Sequence, residues 1–169
     1  NEVGYYIFFF LPKYELYIRE QLKSIISRVN STDREYTIVE IDLFELLISI
    51  LRNEGYLEDF FTLEQEEGFD TLAEAMVETL GLDETSDLNL MVTKIVQTVR
   101  DNGKSVIFLT GIGKCYPIIR SHNILNNLHQ VMDASPVVLF FPGQFSGQDL
   151  KLFNTLESHN YYRAFPLIV

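Results

Sequence analysis

The sequence predicts a three-layer α/β domain: a mostly parallel five-stranded sheet with helices on both faces. Short apolar runs without alternation, clearest at 5–10, 105–110 and 137–141, read as strands buried on both sides. Amphipathic helical stretches separate them, the pattern that feeds parallel crossovers. At 169 residues, with 47% apolar and 22% charged residues, the chain suits one domain with a sizeable core. No repeat, low-complexity tract or linker divides it, so residues 1–169 read as a single domain. Asn1 stands where a methionine would open a full chain, and the domain is expected to be N-terminally incomplete.

The elements follow in order. The aromatic run Tyr5 to Phe10 is the first strand, stopped by Pro12. A helix is expected from about Lys13 to Val29, with Ile18, Leu22, Ile25, Ile26 and Val29 on one stripe. Residues 30–35 read as a loop, and 36–41 as the second strand. Asp42 can then cap a helix over 43–51, which Gly55 ends. From 57 to 100 only helical patterns occur: a short acidic helix near 58–66, another over about 70–80 stopped by Gly81, and a longer one over 88–100. Asn102-Gly103 marks a turn before the strand 105–110, the loop 111–120 and a helix over 121–132. The strand 137–141 is expected to end at Pro142-Gly143. A short helix over 149–156 and a last strand over 162–168 complete the reading.

The formal net charge of −11 opposes binding to nucleic acid, which rests on neutralised phosphates, and no direct DNA contact is expected. Acidic residues concentrate between Glu54 and Asp87, which reads as a solvated helical face. Cys115 is the single cysteine, so no internal disulfide can form and a reducing compartment is the natural setting. The apolar run Tyr5 to Leu11 is too short to span a bilayer. A cytoplasmic protein without membrane contact is expected.

The ends of the strands should share one edge, the working surface of open α/β sheets. That edge would carry residues 12–14, Asp42, Gly111 to Arg120 and 142–146. The loop after the third strand, with Gly111, Gly113 and Lys114, superficially resembles a phosphate loop. A Walker A loop needs Gly-x-x-x-x-Gly-Lys-Ser/Thr, but Phe108 occupies its first glycine position and Cys115 its hydroxyl position. The expected fold is thus P-loop-NTPase- or Rossmann-like but lacks a Walker A loop, and no cofactor is implied.

Arg120 and Ser121 form the main candidate site. Ser121 is a plausible N-cap, so the helix dipole and Lys114 would favour a phosphate, a carboxylate or an acidic partner side chain. The structural alternative pairs Arg120 with Asp42. In the following helix Ile124, Leu125, Leu128, Val131 and Met132 should face the core, with Asn123, Asn126, Asn127 and Gln130 opposite and His122 and His129 at the border. Uncharged amides suit protein recognition; an ordinary solvated face would carry more lysine and glutamate.

His122 and His129 are two turns apart, too far for one ion, His159 could approach only through the tertiary fold, and no Cys-x-x-Cys or His-x-x-x-His occurs, so no metal is expected. Cys115 beside Lys114 could be an activated thiol, but a lone cysteine is more often inert. Ser121 has no identifiable base, and enzyme signals are poor throughout. Tyr161, Tyr162 and Arg163 could form a partner hot spot, though edge-strand packing explains them equally simply.

The runs FLTGIGKCYPIIRSHNILNNL, PVVLFFPGQFSG and YYRAF, with Arg120-Ser121-His122-Asn123 and Pro142-Gly143 as their distinctive parts, resemble the BrxB family of BREX anti-phage defence systems. The first strand, Pro12 and the helix bearing Glu15, Leu16 and Arg19 are similar to the family's first βα unit; the similarity is weakest from 57 to 100. The resemblance implies an accessory subunit that works beside a DNA methyltransferase, an alkaline-phosphatase-like PglZ protein and a large ATPase. It implies no catalytic activity. The expected role is a non-enzymatic adaptor whose first partner is the PglZ-like subunit, contacted by Lys114, Arg120, Asn123, Asn126 and Asn127. The alternative is a nucleotide- or phosphate-ligand sensor or hydrolase using the 111–122 loop, with His122 as acid or base.

Overall fold

The computed structural model describes residues 4–32, 35–83, 89–145, 150–158 and 164–167. The first strand, β1 (Tyr5–Phe10), leads through a single turn at Pro12–Tyr14 into α1 (Glu15–Thr32). There follow β2 (Thr37–Asp42), α2 (Leu43–Asn53), α3 (Leu57–Glu67), α4 (Phe69–Leu80), α5 (Leu90–Asp101) and β3 (Ser105–Thr110). A short turn at Ile112–Cys115 leads to α6 (Ser121–Val131), β4 (Val137–Phe145), β5 (Leu150–Leu152), β6 (Leu156–Ser158) and β7 (Phe165–Pro166).

The sheet runs β2-β3-β4-β1-β7, all parallel, and the hairpin β5–β6 adds antiparallel pairing to the far end of β4. Strand periodicity sorts its side chains between two cores. Tyr5, Ile7, Ile107, Leu109, Val137, Leu139 and Phe141 meet α2, α4, α5 and α6. Among the described residues, Tyr6, Phe8, Val106, Phe108, Val138 and Phe140 meet Ile18, Leu22 and Ile26 of α1. The predicted three layers are therefore present, with unequal cover. No helix among the described residues is long and apolar enough to cross a membrane.

Helix ends follow local chemistry. Asp42 Oδ1 accepts from the amides of Phe44 and Glu45, as the sequence suggested for α2. Asn89 caps α5 through Val92 N. Gly81, left-handed at φ 63°, closes α4, where the Leu82 amide donates back to Val77 O.

Five expectations need correction. The helix after β1 runs to Thr32, into the predicted loop, and leaves Ile25 exposed. Val131, assigned to the core, is 54% exposed, because α6 ends there. Ser121 is the first residue of α6 and does not cap it; Arg120 holds the cap position and makes no side-chain capping bond. Pro142-Gly143 does not end β4. Pro142 O instead accepts from Phe153 N at 2.8 Å, and Gly143 pairs with Leu152. A Cβ at Gly143 would lie 2.1 Å from Lys151 O, so only glycine lets the hairpin approach. Finally, the described residues of the predicted helix 149–156 form β5 and a turn into β6, with Leu150 and Leu152 buried in alternation.

The last strand is shorter than expected, and Tyr162 and Arg163 lie outside the described residues. So do Tyr161 and His159.

Candidate functional site

The carboxyl ends of β2, β3 and β4 bring together the loop after β3, Asp42 and the turn after β5. Gly111 takes a left-handed conformation at φ 76°, open to glycine at little cost. Its bare Cα lets Asp42 close over it; an added Cβ would stand 2.3 Å from Asp42 Oδ1. Lys114 then reaches back and places Nζ 2.6 Å from Asp42 Oδ2, while also lying 5.2 Å from the centre of the Phe44 ring. Asp42 thus serves two partners, one oxygen for the α2 amides and one for Lys114. Beneath this pair, Thr110 Oγ1 donates to Glu40 Oε1 at 3.0 Å.

Gly113 sits against Phe153 and Pro142, where a Cβ would meet ring atoms at 2.8 to 3.0 Å. No local motif singles out Phe153. It and Asn154 both have positive φ, 54° and 64°, and form the turn between β5 and β6. A bulky residue in that region is strained. Here its ring borders the loop glycine.

Cys115 is buried and its thiol lies 3.4 Å from Gly111 O. Burial, reinforced by the charge of Asp42 and only partly opposed by Lys114, pushes the thiol up from 9.0 to about 12. Such a thiol is no nucleophile near neutral pH.

At the head of α6, Arg120 is exposed and pairs with no described carboxylate; the cation on Asp42 is Lys114. Ser121 and His122 are buried, and both have interaction partners. The amide face is partly enclosed. Asn123 Nδ2 donates to Leu82 O at 3.1 Å, binding α6 to the end of α4. The Oδ1 atoms of Asn123 and Asn126 are buried with no hydrogen-bond partner among the described residues, an uncommon state for an amide. Asn127 is half-buried, and His129 stacks on Tyr5 with ring centres 5.0 Å apart. Among the described residues no three His, Cys, Asp or Glu side chains converge as a metal site would need.

The family described as "BREX protein BrxB" matches residues 39–167. A protein of that name from Bacillus cereus (strain H3081.97) is 45% identical over 168 residues, covering 99% of this chain and 85% of the relative. The chain belongs to the BrxB family. It is therefore a component of BREX phage defence. A second BREX protein BrxB, from Escherichia coli O9:H4 (strain HS), is 29% identical over 168 residues, 99% of this chain and 80% of that protein. No solved structure matches. The BrxB match spans β3, the loop, α6 and β4, so the whole Asp42–Lys114–Arg120 edge lies within the family region.

Proposed function

We propose that this BrxB-family chain is a non-enzymatic adaptor that holds a PglZ-like, alkaline-phosphatase-fold subunit through the 111–127 edge. The observation that carries the reading is the contrast along this edge. Lys114 is spent on Asp42 and Cys115 is buried and inert, whereas Arg120 is exposed and pairs with no described carboxylate. A planar guanidinium on a rigid helix start suits bidentate capture of a partner carboxylate. Other BREX components would assemble around that contact in the cytoplasm.

A nucleotide or phosphate sensor would use Lys114 and the start of α6 together. That requires breaking the 2.6 Å contact with Asp42 before the ligand gains its cation. Nothing in the geometry favours this reading over the adaptor.

Co-purification with the PglZ-like subunit of the same locus tests the proposal. Wild type should elute as a complex of fixed stoichiometry by light scattering, and Arg120→Ala should elute free while remaining folded. A complex that survives the substitution would move the interface elsewhere. Calorimetry with ATP and short oligonucleotides should show no heat; a saturable signal at the same edge would favour the sensor.

A further inference from the structure

We propose that Asn30 is an edge guard: its side-chain amide stands in for a neighbouring strand and keeps β2 from pairing with the β2 of a second copy. The guard uses none of the residues of the Arg120 edge and stands whatever that edge meets.

Among the described residues β2 is an outer strand of the sheet. Outer strands carry unpaired backbone groups and are ready templates for another chain. Thr37 N donates inward to Lys104 O, and the parallel register runs on from Thr37↔Ser105 to Asp42↔Thr110. Alternation along the strand therefore turns the N–H and C=O groups of Ile38 and Glu40 outward. Thr37, Ile38, Val39 and Ile41 are β-branched, the residue type that pairs most readily. A second copy presents the same edge, and a two-fold axis would lay β2 antiparallel to β2.

Asn30 already occupies the first outward position. Its Oδ1 accepts from Ile38 N at 2.7 Å, and its Nδ2 donates to Ile38 O at 2.9 Å. An antiparallel strand makes this same reciprocal pair of bonds. Only one orientation of the amide satisfies both groups. The helix itself has little use for the residue, because asparagine is a weak helix former. Ser31 and Thr32 serve the end of α1 instead, their hydroxyls donating to Arg28 O at 2.9 and 2.8 Å. Glu40 holds the next outward position of β2, and it is exposed, so a charge stands beside that position. The opposite edge is closed by other means. Leu167 N donates inward to Ile7 O, so Pro166 of β7 faces outward, where it has no N–H to offer. Both edges thus deny an incoming strand its first N–H.

Light scattering of Asn30→Ala over a rising series of concentrations tests the guard. The mean mass should climb toward twice the wild-type value, while wild type holds its own mass throughout. In the associated variant the Glu40 amide should gain hydrogen-exchange protection, since pairing covers the outer edge. Adding Ile38→Pro to Asn30→Ala should restore the wild-type mass. Proline there removes the outward N–H and spares the inward bond of Thr37. Hydrogen exchange of the unsubstituted chain needs no variant and decides the matter even if Asn30→Ala misfolds. The Ile38 amide should exchange more slowly than that of Glu40, because only the first is held by Asn30. A folded Asn30→Ala with the wild-type mass would reduce Asn30 to a tie between α1 and β2 and overturn the proposal. So would association that leaves Glu40 unprotected or survives Ile38→Pro, or equal exchange at Ile38 and Glu40 in wild type.

Discussion

Lys114 Nζ stands 2.6 Å from Asp42 Oδ2, and this contact ties the end of β2 to the loop after β3 across 72 residues of sequence. The same carboxylate caps α2 through its other oxygen. Asp42→Ala removes both functions and should cost about 1–2 kcal/mol, most of it from the cap. Asp42→Asn keeps a capping oxygen and should cost less than about 1 kcal/mol. Urea unfolding of the two variants distinguishes the contributions: equal losses would assign the stability to the ion pair.

Gly111→Ala should be more harmful than an ordinary loop substitution. It forces a left-handed Cβ against Asp42 Oδ1, at 2.3 Å, in a conformation alanine resists. A loss of at least about 1 kcal/mol is expected from the backbone alone. Combined with Asp42→Ala the two losses should sum to more than the double variant shows, because the clash needs both groups. Strict additivity in thermal melts would contradict this packing.

Alkaline pH should weaken the fold. Burial pushes the Cys115 thiol from 9.0 to about 12. It also pushes the Tyr5 hydroxyl, further opposed by the charge of Asp133, from 10.0 to about 12. Each raised folded-state value favours the protonated form, so the contribution is complete below the unfolded value and is lost as pH rises toward 12. Stability should therefore fall from about pH 9 upward, and Cys115→Ala should flatten the slope. Iodoacetamide at pH 8 should label the native thiol far more slowly than the unfolded one; comparable rates would mean the thiol is accessible.

Tyr5→Phe removes the hydrogen bond from the phenol to Met132 O at 2.6 Å and strands a buried carbonyl. The expected loss is about 1–3 kcal/mol at neutral pH, read by denaturant titration. A neutral substitution would show that Met132 O finds another donor.

Gly143→Ala should detach the β5–β6 hairpin, since Lys151 O leaves no room for a methyl group. The amide of Phe153, held by Pro142 O at 2.8 Å, should lose hydrogen-exchange protection while β3 keeps its own. Unchanged protection at Phe153 would refute the close approach.

The parallel core was legible because its signals are local. Unalternating runs at Tyr5–Phe10 and Ser105–Thr110 declare strands buried on both sides, and Asp42 before an apolar helix declares a cap. The family was legible from contiguous runs around Arg120 and Pro142. The end of β4 was misread for an equally local reason: Pro-Gly usually punctuates, and only a strand arriving beside it turns that glycine into a requirement.

By itself, then, the sequence determined the fold class, the order of the main elements, the family and the edge where the loop after β3 meets α6. Periods of 2 and 3.6 residues record which face each side chain presents, and that record survives without knowledge of neighbours. Tertiary structure alone decided the partners: Lys114 for Asp42, Leu82 O for Asn123, Phe153 for Gly113, and α1 as the main cover of the second sheet face. These pairings join segments tens of residues apart. They depend on the strand order β2-β3-β4-β1-β7, which is set by the packing of whole layers and leaves no trace in local periodicity.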